Sequence, residues 1–277
     1  MLFLLPPSET KRDGGASGPL DLDALSFASL TDARRVVLDA LRSLSTDDSA
    51  AARALKLGPA AAVAEVARNR AVMSSATMPA IERYTGVLYD ALAVRELGVQ
   101  ARARASRHVV VHSALFGLLR ADDAIPAYRL SHDSRLHDLR LRAHWSAALA
   151  AVLAGLDRSD VVDGPIVDLR SEGYVGLGPL PAHPDAVFVR VVAVGADGVV
   201  RALNHFNKKG KGEFVRAVLG AESIPTTIDE LCHVSTELGW PLRRVDGARV
   251  SQRPGLRRAQ LQRAELQLIV PGQAPAR

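Results

Sequence analysis

The sequence predicts a mixed α/β (α+β) fold in a single compact domain, with a mixed sheet surrounded by helices. Short apolar runs typical of strands alternate irregularly with segments of helical periodicity, and no repeat or linker divides the 277 residues. A chain of this length that is 48% hydrophobic can bury a substantial core. We therefore expect one domain over residues 1–277, with a basic C-terminal part within 171–277 and a frayed tail at 271–277.

Apolar residues 1–5 predict a short buried strand at the start of the chain. The Ser/Gly/Pro-rich stretch over 6–20 predicts a loop, and its Gly14-Gly15 pair predicts a mobile lid. Thr31 is placed to cap a helix with one apolar stripe, and Pro59 suits the first turn of a second helix.

Later elements follow from the same periodicities. Further strands are predicted at Val109–Val111, Pro165–Leu169, Ala186–Val194, Val199–Leu203 and Ala264–Val270. Further helices are predicted at Ser134–Ala154, at Lys211–Leu219 and from Thr227 to Gly239. Asp197-Gly198 between two apolar runs is typical of a β-hairpin, and Thr227-Ile228-Asp229-Glu230 matches a capping box.

Cysteine and histidine usage limits the chemistry. The single cysteine, Cys232, excludes an intramolecular disulfide framework and any site built from several cysteines, and the eight histidines show no metal-binding spacing. No apolar run approaches the ~18 residues that span a bilayer. We expect a soluble, cytoplasmic monomer with no membrane partner, no metal and no cofactor.

The charge distribution favours anionic partners. The formal net charge is +5, and the sequence pI is about 9.7. The basic residues cluster at Arg102, Arg104 and Arg107, at Lys208, Lys209 and Lys211, and in the C-terminal series Arg243, Arg244, Arg249, Arg253, Arg257, Arg258 and Arg263. Arginine-rich faces are also common as plain solvated surface.

Five clusters gather polar side chains beside short strands or turns. They are Leu4–Arg12, Tyr84–Leu92, Ser113–Ser131, Val167–Tyr174 and Leu203–Leu219. With these five in this order, the chain resembles the YaaA family of bacterial proteins. The most specific matches are Phe116–Arg120 and Pro126–Leu130. The chain departs from the family pattern in its opening turn, Pro7–Lys11, and at Gly173, where some relatives carry a second acid.

The resemblance implies a compact α/β fold with a helix-hairpin-helix-like element. It also implies binding of duplex or junction DNA through a basic cleft, and protection of DNA during peroxide stress. Both the cleft and the stress response are expectations carried by the family, and each cluster also has an interpretation from its own residues.

Two clusters suggest phosphate binding through a glycine turn or an arginine fork. Tyr84-Thr85-Gly86 has the form of a turn between helices whose amides can meet a phosphate, or of an ordinary glycine turn. Arg120 and Arg129, with Tyr128 between them, can hold a phosphate bidentately. Alternatively, these arginines brace the loop by pairing with Asp122 or Asp123.

The lysine cluster, which precedes a predicted helix, is a third candidate for phosphate binding. Lys208, Lys209 and Lys211, interleaved with glycines, suggest a phosphate cradle at the helix N-terminus, with Arg216 on the outer face of that helix. The spacing of a P-loop is absent, and a solvated basic loop is the alternative.

The acidic cluster suggests catalysis. Asp168, Glu172 and Tyr174 follow an apolar strand, where α/β proteins often place catalytic groups. Glu172 would be a general base or nucleophile oriented by Tyr174, with Lys11 as a further catalytic candidate. The alternative is a pair of loop carboxylates that balance Arg170.

Two functions therefore stand beside each other. The first is a peroxide-stress protein that binds duplex or junction DNA. The second is an enzyme that uses a mixed Lys/Glu/Tyr pocket on a small anionic substrate, such as a nucleotide or ribosyl phosphate. The second accounts for the acids and tyrosines, because carboxylates near a DNA backbone repel it.

Overall fold

The fold centres on a mixed sheet of eight strands among the residues that the computed structural model describes, which are 1–156, 164–194, 200–202, 207–245 and 264–270. The strands are β1 (Leu2–Leu5), β2 (Met78–Pro79), β3 (Val109–Ser113), β4 (Gly117–Arg120), β5 (Ala124–Ile125), β6 (Ile166–Asp168), β7 (Ala186–Val194), β8 (Val200–Ala202), β9 (Leu242–Arg244) and β10 (Ala264–Ile269). The sheet runs in the order β4-β3-β1-β6-β7-β10-β9, with β8 paired to β7. β2 and β5 form a separate antiparallel pair.

Helices surround the sheet. They are α1 (Thr31–Leu44), α2 (Asp48–Ala54), α3 (Pro59–Arg70), α4 (Ala80–Arg83), α5 (Val87–Leu92), α6 (Val99–His108), α7 (Leu141–Ala154), α8 (Glu172–Leu177), α9 (Asn207–Gly220) and α10 (Ile228–Glu237). Short 3-10 turns lie at Ala28–Leu30 and Val94–Glu96. One contiguous apolar core extends from Met1 to Leu268, so the prediction of a mixed α/β fold around a sheet is confirmed.

Strand β1 is the centre of the sheet, because it pairs in parallel with both β3 and β6. Side chains alternate along each strand, so neighbouring positions face opposite layers. Phe3 meets Phe214 of α9 edge-to-face, with ring centroids 6.0 Å apart. Asp168, paired with Leu4 in the register, points to the opposite layer. That layer contains α7 and α8.

Most predicted elements are confirmed, and three helix starts are wrong. Thr31 is the first residue of α1 and not its cap, which is Leu30, without a side-chain hydrogen bond. The helix predicted from Ser134 begins at Leu141, and the helix predicted from Lys211 begins at Asn207.

Two local signals are confirmed at the C-terminal side of the sheet. The Thr227 hydroxyl accepts from the Glu230 amide at the start of α10, and Gly239 follows that helix with a φ of 79°. β7 and β8 pair as the hairpin predicts. The Asp197-Gly198 turn, the tail 271–277 and the arginines of 246–263 lie outside the described residues.

Candidate functional site

The polar motifs meet at one edge of the sheet. Because β1, β3 and β6 are parallel, their last residues, Leu5, Ser113 and Asp168, lie at the same carboxyl edge. β3 lies on one side of β1 and β6 on the other, so the chain order reverses at β1. In α/β sheets, ligands bind outside the carboxyl ends of the strands at such a point.

Lys11 is the buried amine of this edge, with only 7% of its surface exposed. Its Nζ donates to the carbonyl oxygens of Ser8 at 2.8 Å and Glu9 at 3.2 Å, and lies 4.1 Å from the centroid of the Tyr128 ring. Burial, with the nearby charge of Arg129, lowers the pKa of Lys11 to about 7. A substantial fraction of the amine is therefore neutral near pH 7.

A chain of hydroxyl groups runs beside Lys11. The Tyr128 hydroxyl lies 2.8 Å from that of Tyr84 and 2.7 Å from that of Ser113. The Ser113 Oγ also accepts from the amides of Leu115 and Phe116, at 3.1 and 3.0 Å. These two bonds occupy both lone pairs of Ser113, so Ser113 donates to Tyr128. In the bond between Tyr128 and Tyr84, either hydroxyl can be the donor. Whichever tyrosine donates, one hydroxyl proton of the chain remains for another acceptor.

Backbone pairing between the first two motifs holds Lys11 and Tyr84 together. The two residues form an antiparallel bridge, and the Thr85 amide donates to the Thr10 carbonyl at 3.2 Å. Gly86 has a φ of 94°, and a Cβ there would lie 3.1 Å from the hydroxyls of Ser8 and Thr10. Glycine is needed here because the two segments approach closely.

The turn over Tyr84–Gly86 joins α4, of four residues, to α5, of six. The Gly86 amide donates to the Asp90 carboxylate at 3.2 Å, within the same chain. A turn thus lies between two short helices, and the helix-hairpin-helix-like element stays a prediction. A helix-hairpin-helix-like DNA contact through Tyr84, Thr85 and Gly86 stays a prediction.

The fully buried Arg83 holds the N-terminal loop. Its guanidinium donates to the carbonyls of Gly14 at 2.8 Å, Ala76 at 2.9 Å and Ile125 at 3.0 Å, and also to that of Arg12. The glycine pair that predicts a mobile lid is therefore tied to the body of the protein in this structure.

Arg129 stands at the mouth of the site with its side chain 17% exposed. Its Nη2 contacts a carboxylate oxygen of Glu9. The buried Asn69 of α3 fixes the Arg129 backbone, because its Oδ1 accepts from the Arg129 amide at 2.7 Å and its Nδ2 donates to the Arg129 carbonyl at 2.9 Å.

Sequence reasoning missed the contribution of α3. Glu65 lies four residues before Asn69 and is close enough to Lys11 to raise the pKa of that amine. The Glu65 Oε2 is buried and accepts no hydrogen bond among the described residues. Polar residues four apart on a helix share one face, and this spacing was the available signal.

Asp168 forms an internal ion pair with Arg170. Both Asp168 and Arg170 are fully buried, and the guanidinium contacts the two carboxylate oxygens at 2.8 and 2.7 Å. Arg170 Nη1 also donates to Nδ1 of His112 at 2.9 Å. Burial and the charge of Arg170 lower the pKa of His112 well below its usual range. The predicted Asp168–Arg170 pairing is therefore present.

The other two candidates of the acidic cluster, Glu172 and Tyr174, both belong to α8, but their side chains lie in different surroundings. Tyr174 is buried between His112 and His132, with ring centroids 5.8 and 5.1 Å away. Glu172 is 57% exposed and faces Arg190 at 3.6 Å. A Cβ on Gly173 would lie 2.4 Å from the His132 ring, which explains why no acid stands there.

The lysine-glycine segment is helical, so the predicted loop before the helix is wrong. Lys211 is buried in the first turns of α9, and its Nζ donates to the Leu169 carbonyl at 2.9 Å. Burial lowers the pKa of Lys211 to about 8. A Cβ on Gly212 would lie 2.1 Å from the Leu88 carbonyl of α5, so this glycine permits helix packing.

The remaining phosphate-binding candidates are dispersed. Lys208 is exposed, and Lys209 is exposed with Glu213 at 3.5 Å. Arg216 donates to the carbonyls of Leu92 and Ala93 at the end of α5. Arg120 pairs with Val110 near the start of β3, at the opposite edge of the sheet from Arg129. Arg120 and Arg129 therefore do not share one site, and phosphate binding by either guanidinium stays a prediction.

Within the described part of the chain, no three His, Cys, Asp or Glu residues are arranged to hold a metal ion. The helices described are likewise too short or too polar to cross a membrane.

Together, these residues define an α/β protein with a buried amine, a chain of hydroxyl groups and an arginine with a fixed backbone at the carboxyl edge of its sheet. Residues 1–242 match the family model described as peroxide stress protein YaaA, and the chain belongs to that family.

Curated relatives carry the family name UPF0246. The chain is 42% identical to a UPF0246 protein of Corynebacterium efficiens over 246 residues, which cover 86% of this chain and 93% of that protein. It is 39% identical to one of Streptomyces coelicolor over 242 residues, covering 87% and 91%. It is 27% identical to one of Bordetella pertussis over 224 residues, covering 78% and 84%.

Proposed function

We propose that this member of the peroxide-stress family catalyses an acid–base reaction on a small anionic substrate, such as a nucleotide or ribosyl phosphate. The observation that carries the proposal is the setting of Lys11, a buried amine held between two backbone carbonyls and the Tyr128 ring. A lysine whose pKa lies near 7 is matched to general-base chemistry at neutral pH.

Each neighbouring group has a task in this proposal. Lys11 takes a proton from the substrate in its neutral form. The Tyr84 hydroxyl, backed by Tyr128 and Ser113, donates to an oxygen that gains charge. Arg129 binds the anionic group of the substrate. Asp168 positions Arg170 and does not touch the substrate.

Among the described residues, the disposition of the basic candidates favours this site over a long DNA groove. Of the basic candidates for phosphate binding, Lys211 is buried, and Arg216 is bonded to backbone carbonyls. Acids and hydroxyls concentrate instead around Lys11, which is the mixed-charge arrangement typical of a catalytic site.

The test is a turnover screen of nucleotides and ribosyl phosphates with three proteins: wild type, Lys11→Met and Tyr84→Phe. We expect Lys11→Met to lose turnover by at least ~100-fold, the usual contribution of a general base. Lys56→Met is the matched control, because Lys56 is exposed and pairs with Asp133. Turnover that survives in Lys11→Met would remove Lys11 from the mechanism.

A second function, binding of duplex or junction DNA during peroxide stress, is favoured by Lys208. This lysine and Lys209 are exposed on the first turn of α9, on a chain of net charge +5. Non-specific DNA binding depends on such cations and weakens steeply with salt.

Fluorescence anisotropy against duplex and four-way-junction DNA across a salt series tests this second function. The double variant Lys208→Ala/Lys209→Ala should bind more weakly than wild type, with a shallower salt slope, while Lys56→Ala should bind as wild type does. Equal binding by wild type and the double variant would show that these lysines do not contact DNA.

A further inference from the structure

The Lys11 amine is covered by its own chain. Two carbonyls of the preceding residues, Ser8 and Glu9, accept from Nζ, and we call these two residues the strap. The Glu9 side chain is 58% exposed, whereas Lys11 beneath it is 7% exposed. A substrate must therefore move the strap before it can reach the amine.

The strap is fastened at the mouth of the site by Glu9. The Glu9 carboxylate contacts Nη2 of Arg129. An ion pair with one partner this exposed contributes little stability, so it can exchange for another anion. The Glu9–Arg129 ion pair therefore holds the strap over Lys11 and can still be broken by a competing anion.

Arg129 is built as a receptor for an oxyanion. Its backbone is fixed on both sides by the buried Asn69. Its Nε and Nη1 have no hydrogen-bond acceptor among the described residues, although a guanidinium offers five donors in a planar fork. Glu9 therefore uses one nitrogen of a fork that a phosphate or carboxylate could engage through two.

We propose that Glu9 occupies the place of the substrate's oxyanion on Arg129, and that an incoming phosphate or carboxylate displaces it, releases the strap and uncovers Lys11. This inference rests on the proposed function, because it assigns the same site its substrate-recognition residue. It makes Arg129 the anion-recognising group and Glu9 its internal competitor.

The experiment measures how fast Lys11 is modified by an amine-reactive acylating reagent, followed by peptide mass spectrometry. Wild type, Glu9→Gln and Arg129→Gln are compared at constant ionic strength, each without ligand, with inorganic phosphate and with acetate. For each protein the rate is taken from the plateau of a pH series, where Lys11 is fully neutral, because Glu9 raises and Arg129 lowers the pKa of Lys11. Glu96→Gln is the matched control, since Glu96 is an exposed acid paired with Arg216 elsewhere. The labelling of Lys56 in the same sample corrects for reagent activity.

We expect Glu9→Gln to speed Lys11 labelling about five-fold without ligand, the equivalent of ~1 kcal/mol for the lost ion pair. Saturating phosphate or acetate should speed labelling of wild type similarly. In Arg129→Gln, Lys11 should be labelled fast in every condition, and neither anion should change the rate. The more effective anion identifies the chemical class that the site prefers.

Equal labelling of Lys11 in wild type and Glu9→Gln would overturn the inference, as would an anion effect that survives in Arg129→Gln. The readout does not need turnover. An inactive protein with the expected labelling pattern would thus disprove the proposed reaction alone, and an active one with flat labelling would disprove the strap alone.

Discussion

Arg170 closes on both carboxylate oxygens of Asp168, two positions earlier in the chain, and neither side chain reaches solvent. The pair lies at the end of β6, whose last residue is Asp168, at the edge where the candidate site is built. At this edge, Asp168 is the acid whose structural and catalytic interpretations predict the most different results.

Asp168→Asn is expected to lower the free energy of unfolding by ~3–5 kcal/mol, because it leaves the buried guanidinium without its counter-charge. Urea denaturation measures this. The double variant Asp168→Leu/Arg170→Met should recover much of the loss, since neither charge is then buried. Unchanged stability with lost turnover would make Asp168 catalytic after all.

The order of the hydroxyl chain, with Tyr128 in its centre, predicts unequal costs for its two tyrosines. Tyr128→Phe removes the central link and leaves the Ser113 hydroxyl without its acceptor, which costs ~2 kcal/mol or more in unfolding free energy. Tyr84→Phe removes only the terminal hydroxyl and should cost about 1 kcal/mol. Denaturation of both variants tests this, and an equal or reversed order would contradict the assignment of Ser113 as the donor to Tyr128.

The lowered pKa of Lys11 predicts a pH-dependent stability difference. Between about pH 7 and pH 10.5, the unfolded chain holds a proton on Lys11 that the folded chain does not, so stability from this group rises with pH. Burial of the charged amine is therefore most costly below pH 7. The stability advantage of Lys11→Met over wild type should therefore be largest at the lowest pH tested, pH 6.

That advantage of Lys11→Met should shrink by about 4 kcal/mol on going from pH 6 to pH 10. Paired denaturation curves at four pH values measure it. The other buried amine, Lys211, is present in both proteins and cancels in the comparison. A difference that does not change with pH would mean that Lys11 keeps an ordinary pKa.

Gly212→Ala is expected to destabilise the protein by ~2 kcal/mol or more, because the new methyl group would meet the Leu88 carbonyl and push α5 from α9. Gly220→Ala, in the last position of the same helix, meets nothing within 4 Å and should be neutral or stabilising. Thermal melts compare the two, and equal effects would show that the helices separate without cost.

Periodicity located most of the strands and helices because each follows from neighbouring residues. The starts of α7 and α9 were missed for different reasons. Residues 134–140 have helical composition but form turns, including a Leu136–Leu139 bridge. The glycines at 210 and 212 read as a loop, whereas packing against α5 keeps that segment helical.

The candidate site was only partly predictable. Lys11, Tyr84, Tyr128 and Arg129 could be chosen as polar residues beside turns, but their meeting depends on β1 lying between β3 and β6. For Asn69, the four-residue spacing from Glu65 was the only signal, and its two bonds to the Arg129 backbone exist only in the folded chain.

The grip of Arg83 on the N-terminal loop has a practical consequence for engineering. Surface loops usually accept inserted peptides, but one added residue between Arg12 and Gly14 would shift two of the carbonyls that a buried guanidinium must reach. The junction at Gly58 is exposed, and a Cβ there would meet nothing within 4 Å. A reporter peptide belongs at Gly58, where it would leave the fold and the amine-bearing edge undisturbed.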